Sequence, residues 1–304
     1  MTAARATRAL LVFNPAARGT TRRIADNVAT LLSPGRHLEV ATTEHPGHAL
    51  QIARTAVAEG FDAVFSLGGD GTVNELAQGL VGSDIALGVV PGGGANVLAR
   101  TLGLPNDARQ AAAHLQRGTG DRRISLGRVN DRWFVCNAGL GFDAAVVRHV
   151  ERHQRFKRRL GQAAFVWSAL AQWTAVRRAS ALVDVEIDEV APTAPVTISI
   201  VANTAPYTFL GTRALRVHPD ASFDQGLDLL TVTTASTRRL LRILGHVLSD
   251  GAHVELPEVT YHRNLSTFTL HAPRPLPLMA DGEYLGSHSR AEFGVRRDAL
   301  RVLT

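Results

Sequence analysis

The sequence predicts an α/β domain followed by a β-rich domain, with a boundary near residues 125–130. In the first 130 residues, apolar runs alternate with amphipathic segments, which is typical of a parallel sheet with helices on both faces. Beyond residue 130, short segments alternate apolar and polar residues, which is typical of antiparallel strands with one solvated face. We therefore expect domains at residues 1–128 and 129–288, and the tail at 289–304 is a candidate to return to the first domain.

The first domain is predicted to alternate strands and helices. Most of its strand segments are apolar at nearly every position, because both faces of a parallel sheet are covered. The predicted strands are "RALLVFNP", "HLEVATT", "DAVFSLGG" and "IALGVVPGG", and the predicted helices cover residues 20–32, 47–59, 72–80 and 95–103.

The second domain is predicted to consist mainly of antiparallel strands. The predicted strands are "RWFVCNAG", "ALVDVEID", "VTISIVANT", "LDLLTVTT", "EVTYHRNLSTFTLHA" and "LPLMADGEY". Two helices are expected to interrupt them, near residues 144–178 and 236–250. The chain thus changes from α/β to β-rich once, without an internal repeat.

Composition excludes several classes of protein. Of the 304 residues, 45% are hydrophobic and 20% are charged, which are the proportions of a globular protein rather than a disordered one. Cys136 is the only cysteine, so neither an intrachain disulfide nor a cysteine-cluster zinc site can form. No stretch approaches the roughly 18 apolar residues of a membrane span, and the N-terminus lacks a signal-peptide pattern. We expect a cytoplasmic protein that touches a membrane from one side at most.

The end of the first predicted strand carries Asn14-Pro15, with Arg18-Gly19-Thr20 before the next helix. Taken alone, this pattern favours an ordinary turn. The functional alternative is a phosphate loop whose backbone N–H groups and arginine face an anion at a helix N-terminus.

The stretch "GGDGT" at residues 68–72 is more specific. Three glycines within four positions permit close backbone approach, and Thr72 is expected to cap the following helix. A turn needs fewer glycines, so a ligand-contacting loop is favoured; the chain has no Gly-Lys-Ser/Thr, which excludes a Walker A loop. Asp70 would repel bare phosphate. It fits if Mg²⁺ bridges its carboxylate to the phosphates, or if it accepts from a ribose or water network.

The stretch "PGGGAN" at residues 91–96 is a second glycine-rich sequence, directly after the next predicted strand. Three strand ends therefore carry loop residues that could contact a ligand, at Asn14, Gly68 and Gly92. The carboxyl ends of parallel strands meet at one edge of a sheet, where α/β proteins bind their ligands.

Four motifs in this order resemble the diacylglycerol kinase catalytic family, in its soluble bacterial branch related to sphingosine and ceramide kinases. They are "NPAARG", "GGDGTVNE", "PGGGANVLARTLGLP" and "ADGEYLG", and the resemblance covers essentially the whole chain. GGDGT alone also occurs in NAD kinases and resembles phosphofructokinase loops, whereas the late Asp-Gly-Glu motif separates the lipid kinases from both. The resemblance implies an N-terminal domain like those of phosphofructokinase and NAD kinase, and a C-terminal antiparallel β-sandwich.

The resemblance also implies an activity, with ATP and Mg²⁺ as cofactors: transfer of the γ-phosphate to a lipid hydroxyl, with diacylglycerol to phosphatidic acid favoured. Glu283 would be the general base, Asp281 its supporting partner, and Asp70 the third catalytic residue. A lipid hydroxyl is a weak nucleophile, so a carboxylate that takes its proton suits this chemistry. The residues implied to contact the nucleotide are Asn14, Pro15, Arg18, Thr43, Gly68, Gly69, Asp70, Gly71, Thr72, Asn74, Gly93, Gly94 and Asn96. Without the upstream loops, a plain hairpin turn would be the preferred interpretation of Asp-Gly-Glu.

Two positions depart from the family pattern. Family members commonly carry threonine where this chain has Gly94, so one hydroxyl contact to the nucleotide is missing. Many also carry a second acid where this chain has Gln225, in a turn implied to hold a structural Mg²⁺. The metal ligands implied here are Asp224, Gln225 and Leu227, and Gln225 supplies no charge.

The best membrane-binding candidate in the sequence is the basic segment at residues 148–159, which precedes an apolar stretch containing Trp167 and Trp173. Its basic residues would attract an anionic leaflet, and the alternative is a surface helix that packs on the β-rich domain. We expect a lipid substrate at an anionic membrane surface and no nucleic acid as partner, and a homodimer stays open. Two other functions also stay open: a kinase of a soluble substrate, such as NAD kinase, and a regulator that binds lipid or nucleotide with weak catalysis.

Overall fold

A computed structural model of the chain describes residues 8–118, 120–152, 172–173, 182–187, 195–234 and 236–304. The chain forms two compact units. The first consists of residues 1–126 and 297–304, and the second of residues 127–296. The first is an α/β unit with parallel strands and the second is rich in antiparallel strands, so the predicted fold class is confirmed.

The first unit is built on a parallel sheet. Its strands are β1 (Arg8–Phe13), β2 (His37–Thr42), β3 (Ala63–Gly68) and β4 (Ala86–Pro91), in the order β4-β3-β1-β2. Strands β3 and β4 are buried at every position, which is why their sequences read as continuous apolar runs. The end of the last strand of the chain pairs in parallel with β4, through Arg301 opposite Ala86.

Five helices follow the strands of the first unit: α1 (Arg22–Leu32), α2 (His48–Ala58), α3 (Asp70–Leu80), α4 (Val97–Thr101) and α5 (Ala108–Arg117). Sequence analysis did not predict α5, although its signals are ordinary ones. Asp107 accepts hydrogen bonds from the first backbone N–H groups of the helix, and Gly118 ends it in a left-handed conformation. Strand β5 (Asp121–Val129), also not predicted, leads from the first unit into the second.

The second unit contains mostly antiparallel strands. They are β6 (Arg132–Phe134), β7 (Asn137–Leu140), β8 (Asp184–Glu186), β9 (Ile198–Ala202), β10 (Thr208–Leu210), β11 (Arg213–Leu215), β12 (Leu227–Val232), β13 (Val259–Leu265), β14 (Thr267–Ala280) and β15 (Glu283–Leu303), the last of which ends in the first unit. The main order is β13-β12-β9-β7-β14-β15, and β10 and β11 form a separate hairpin. The segment predicted as one strand at residues 258–272 is two strands, because the backbone bends at Ser266 and the two parts pair with different strands.

Two helices are described in the second unit, α6 (Phe142–Arg152) and α7 (Thr237–Leu248), followed by a short 3₁₀ helix at Ala252–Glu255. Of the basic segment at residues 148–159, the part from residue 153 onward lies outside the described residues. Trp173, which the membrane hypothesis included, is 2% exposed and packs in a core cluster with Leu240 and Ile243 of α7. For this tryptophan the structure shows packing on the β-rich unit, the alternative to membrane contact.

Among the described residues, no helix is both long and apolar enough to cross a membrane.

Candidate functional site

Two glycine-rich loops lie against each other at the carboxyl edge of the first unit's sheet. The N–H of Gly92 donates to the carbonyl of Gly68 at 2.7 Å. A Cβ atom on Gly93 would lie 2.6 Å from the Cα of Gly69, and one on Gly92 would lie 2.4 Å from Thr20 Cγ2. Real Cβ atoms do not approach other atoms so closely, so Gly93 is required by the contact between the two loops, and Gly92 by the close approach of Thr20.

The loop after β1 is joined to the same edge. The Asn14 amide Nδ2 donates to Thr72 Oγ1 at 2.8 Å, and its Oδ1 accepts from the N–H of Ala16 at 2.9 Å. Gly19 N–H donates to the carbonyl of Gly92 at 2.9 Å. Thr43, at the end of β2, is buried, and its N–H donates to the carbonyl of Phe13. The structure therefore brings the predicted nucleotide-contacting loops of this unit together.

The prediction that Thr72 caps α3 is wrong. The helix begins two residues earlier, at Asp70, and its N-cap is Gly69, which has no side chain to offer. Thr72 lies inside the first turn, where it is buried and accepts from Asn14. No side chain at the N-cap position therefore binds the first N–H groups of this 11-residue helix, which begins directly after Gly69.

Asp70 holds the start of α4. Its Oδ2 accepts from the N–H of Asn96 at 3.0 Å, and its Oδ1 accepts from the N–H of Val97 at 2.6 Å. Asn96 adopts a left-handed conformation, φ 49°, and its Oδ1 accepts from the N–H of Gly93 at 2.8 Å. The acid inside the first glycine loop therefore fixes the geometry of the second.

Glu75 is a residue of this edge that sequence analysis did not single out. Its two carboxylate oxygens accept from the N–H groups of Gly47 and Ala49, at 2.9 and 3.1 Å. Gly47 is the N-cap of α2 and has no capping side chain, so Glu75 takes over that function from α3. The signal was present in the quoted motif "GGDGTVNE", but its partner lies 26 to 28 positions away.

The remaining predicted contacts of the nucleotide differ in exposure. Pro15 and Arg18 are exposed, whereas Asn74 is buried in α3. A Cβ atom on Gly71 or Gly94 would meet no atom within 4 Å, so these two glycines border open space. A cavity of about 220 Å³ lies beside the second loop, lined by Gly19, Gly92, Gly93, Asn96 and residues 106–109, among others.

In the second unit, Asp281 and Gly282 form the two-residue turn of a hairpin between β14 and β15. Both have positive φ, 47° and 78°, and Ala280 pairs with Glu283 across the turn. A two-residue turn with positive φ at both central positions favours Asp-Gly, because it matches the twist of the strands. The hairpin interpretation of Asp-Gly-Glu is thus correct as to structure, and it places Glu283 at the first residue of β15.

Asp281 anchors this turn to the segment before β7. Its carboxylate accepts from three backbone N–H groups, those of Val135 at 2.7 Å, Cys136 at 2.8 Å and Asn137 at 3.0 Å. The N–H of Asp281 donates back to the carbonyl of Asn137 at 2.8 Å. A carboxylate that accepts from three backbone N–H groups is fixed in position, so its observed role is to set the geometry of the turn.

Glu283 projects from the anchored turn and is about half exposed. Its Oε2 accepts from the Arg132 guanidinium at 2.5 Å, and the side chains are 54% and 26% exposed. The Arg148 guanidinium lies 5.8 Å from the ring centroid of the adjacent Tyr284. The carboxylate of Glu283 is therefore paired with Arg132, and a second arginine lies over the ring of the next residue; the sequence patterns connected neither arginine with this turn.

A partly buried acid, Asp143, lies next to Gly139 of β7. Burial raises the pKa of the Asp143 carboxyl to about 6, and the hydrogen bond from the Tyr207 hydroxyl, at 2.8 Å, opposes that rise. Burial, and next the Asp143 charge, raise the pKa of the Tyr207 phenol well above its usual value. The carbonyl of Tyr207 accepts from the Asn137 amide at 3.1 Å, so this pair supports the strand that Asp281 holds.

The predicted structural metal ligands do not form a charged cluster. Asp224 and Gln225 are exposed, Leu227 is buried as the first residue of β12, and the three offer one carboxylate in all. The described parts of the chain hold no group of three or more His, Cys, Asp or Glu side chains that could bind a metal. A Mg²⁺ site requires several oxygen ligands with enough negative charge, so these residues fit the metal poorly.

Two family models match the chain. The diacylglycerol kinase catalytic domain matches residues 8–129, and the YegS C-terminal NAD kinase beta sandwich-like domain matches residues 137–304. A protein of Mycobacterium tuberculosis (strain CDC 1551 / Oshkosh) named diacylglycerol kinase is 33% identical, over 84% of this chain and 81% of its own. One of Staphylococcus aureus (strain MRSA252) with the same name is 29% identical, over 92% and 87%.

Solved structures share the fold. A diacylglycerol kinase structure from Bacillus anthracis str. Sterne has a TM-score of 0.77 at 18% identity and covers 99% of this chain and 98% of its own. An NAD kinase from Archaeoglobus fulgidus in complex with ATP has a TM-score of 0.52 at 12% identity, over 98% and 94%. The predicted relation to both groups of kinases is confirmed at the level of fold.

Proposed function

We propose that this chain, which belongs to the diacylglycerol kinase catalytic domain family, phosphorylates a lipid hydroxyl and converts diacylglycerol to phosphatidic acid. The family makes it an ATP-dependent kinase with an alcohol acceptor. The observation that carries the finer proposal is Glu283, a half-exposed carboxylate on a turn that three backbone hydrogen bonds to Asp281 hold in place. A general base must be both accessible and rigidly positioned.

The ATP phosphates would be held at the glycine edge of the first unit. The start of α3 offers backbone N–H groups and the positive end of the helix dipole, and Gly71 leaves open space beside them. The nucleotide would also be contacted by the two glycine-rich loops, Gly68–Thr72 and Gly92–Asn96, and by five further residues: Asn14, Pro15, Arg18, Thr43 and Asn74. Mg²⁺ carried by ATP would neutralise phosphate charge, and the carboxylate of Asp70, in the first turn of α3, suits a contact to it through water.

The chemistry assigned to Glu283 is proton removal. As the acceptor oxygen forms its bond to the γ-phosphorus, the bond from that phosphorus to the oxygen of ADP breaks, and the hydroxyl proton passes to the Glu283 carboxylate. Arg132 would hold the carboxylate in one orientation until the acceptor arrives. Asp281 would act as a positioning residue for the turn.

The test replaces Glu283 by Gln, which keeps the size of the side chain and removes the base. We expect the rate of phosphate transfer from ATP to diacylglycerol to fall about 10²–10⁴-fold, because the hydroxyl keeps its proton. ATP binding, measured by titration calorimetry, should be unchanged. A matched control is Glu292→Gln, since Glu292 lies on the same strand, is 52% exposed and is paired with Arg290.

The acceptor is tested in the same assay. Radiolabelled ATP is offered with diacylglycerol, a monoacylated lipid, a sphingoid base and NAD in separate reactions. Label in phosphatidic acid supports the proposal, and label in NADP with none in any lipid would overturn it. If Glu283→Gln and Glu292→Gln transfer phosphate at equal rates, Glu283 is not the base.

A further inference from the structure

Helix α7, Thr237–Leu248 with the sequence TRRLLRILGHVL, has more apolar surface than its own unit buries. Leu240 and Ile243 are buried in a core cluster, and Val247 packs against the same cluster. These three recur at spacings of three and four residues, which is the pattern of one buried helix face. The packing of the helix is therefore complete without its other apolar side chains.

Leu241, Leu244 and Leu248 form a second apolar row beside the buried face. They also recur at three- and four-residue spacing, and they are 54%, 39% and 39% exposed. Among the described residues, six large apolar side chains are exposed, and three of them lie on this helix. Single exposed leucines need no explanation, but a contiguous row of them indicates an interaction surface.

The rest of the exposed surface of α7 is basic. Arg238 and Arg242 are exposed, and neither has an ion pair or hydrogen bond within the part of the chain that the structure describes. Arg239 pairs with Glu258 at 3.2 Å, and the helix has no acidic residue of its own. The nearest acid after the helix, Asp250, is bonded to His246 at 2.9 Å.

We infer that this surface, the leucine row with Arg238 and Arg242, docks on an anionic lipid bilayer. Leucines beside arginines on one short helix suit a membrane interface, where apolar side chains enter the acyl boundary and arginines meet lipid phosphates. A second copy of the chain is a poorer occupant. A two-fold contact across α7 would set unpaired arginines against each other without acids on the helix to compensate. The inference rests on the proposed function, because a kinase of lipid hydroxyls must reach its acceptor at such a surface.

The test measures binding to sucrose-loaded vesicles by sedimentation, with phosphatidylglycerol mixed into phosphatidylcholine and with phosphatidylcholine alone. We expect the wild-type protein to bind the mixed vesicles more tightly. Arg238→Gln with Arg242→Gln should weaken that binding about 25-fold, because each arginine contributes about fivefold. Leu241→Ser with Leu244→Ser should weaken it by about tenfold or more, because two apolar side chains no longer enter the interface.

Matched controls exist in the first unit. Val40→Ser with Val57→Ser removes two apolar side chains that are 48% and 40% exposed, and Arg54→Gln with Arg117→Gln removes two exposed arginines. These double variants change the same kinds of surface elsewhere. We expect them to bind the mixed vesicles like the wild-type protein.

Kinase assays separate this inference from the proposed function. The α7 variants should lose activity toward long-chain diacylglycerol in vesicles and keep it toward a short-chain diacylglycerol dispersed as monomers. If the wild-type protein phosphorylates no lipid, the proposed function fails, while vesicle binding still tests the surface. If the α7 variants bind vesicles as tightly as the wild type, the inference is wrong. It is also wrong if they change only the sedimentation coefficient of the protein, since the surface would then contact a second copy.

Discussion

Asp70 in the first unit and Asp281 in the second occupy glycine-containing motifs and have the same kind of partner. Asp70 accepts from the backbone N–H groups of Asn96 and Val97, and Asp281 accepts from three consecutive backbone N–H groups at residues 135–137. Both carboxylates therefore hold one loop against another segment. An acid beside glycines in a site can therefore act by holding two backbone segments together through hydrogen bonds.

The two regions differ in what they leave accessible. At the edge of the first unit, α3 begins without a side-chain cap, and Gly71 and Gly94 border open space. At the hairpin of the second unit, the accessible group is the side chain of Glu283. A helix start suits phosphate binding, and a positioned carboxylate suits proton removal.

The largest effect is expected from replacing Asp281 by Asn. Asparagine tolerates the positive φ, but its amide group presents a donor where the carboxylate accepted. We expect the free energy of unfolding, from urea denaturation, to fall by about 2–3 kcal/mol, because at least one buried N–H loses its charged acceptor. The transfer rate should fall with it, since Glu283 loses its fixed position.

The control for this prediction is Asp184→Asn on β8, where the acid is exposed. That change should leave the free energy of unfolding within about 0.5 kcal/mol of wild type. If Asp281→Asn is as stable as Asp184→Asn and still loses turnover, Asp281 acts on the reacting groups directly. Its role would then differ from that of Asp70, which holds a loop in place.

A smaller loss of stability is expected for Asp70→Asn, about 1–2 kcal/mol, because two backbone N–H groups donate to this side chain rather than three. The proposed contact to ATP-bound Mg²⁺ adds a second effect. The Mg²⁺ concentration for half-maximal transfer should rise about 10–100-fold, the usual cost of losing a partner beyond the direct metal ligands. The measurement is the transfer rate against Mg²⁺ at fixed ATP.

Asp26→Asn on α1 serves as the matched control in this unit, since Asp26 is exposed and its ion pair with Arg22 is a surface pair. A loss of stability in Asp70→Asn without any change in Mg²⁺ dependence would mean that Asp70 only braces the loop. The metal-linked role would then be wrong, and the two aspartates would be equivalent.

Local sequence signals were sufficient for most strands and helices of the first unit and for the position of its glycine-rich loops, although they missed α5 and β5. Continuous apolar runs gave β3 and β4, and the density of glycines marked the strand ends. These signals do not show why a particular glycine is required. A Cβ atom on Gly93 would clash with the backbone of Gly69, which lies 24 positions earlier in the sequence. The same holds for Asp281, whose acceptor role depends on residues about 145 positions away.

The apolar periodicity of a helix also did not predict which of its side chains are exposed. In α7, Leu240 and Leu241 are adjacent apolar residues, and so are Ile243 and Leu244, so the pattern gives one broad apolar face. Only packing decides that Leu240 and Ile243 are buried while their neighbours are not. The Asp143–Tyr207 pair was missed for a similar reason, since its members are 64 residues apart.

The smallest effect is expected from Gly94→Thr, which tests the open space at the first unit's edge. Because a Cβ atom there meets nothing within 4 Å, the free energy of unfolding should stay within about 0.5 kcal/mol of wild type. The added hydroxyl should tighten ATP binding by about 2- to 10-fold, the worth of one hydrogen bond. Gly93→Ala is the contrasting variant, since its Cβ would lie 2.6 Å from backbone and should cost about 1–3 kcal/mol of stability. Titration calorimetry and urea denaturation of both variants decide the matter: if Gly94→Thr destabilises the unit as much as Gly93→Ala, the space beside Gly94 is not available to a nucleotide.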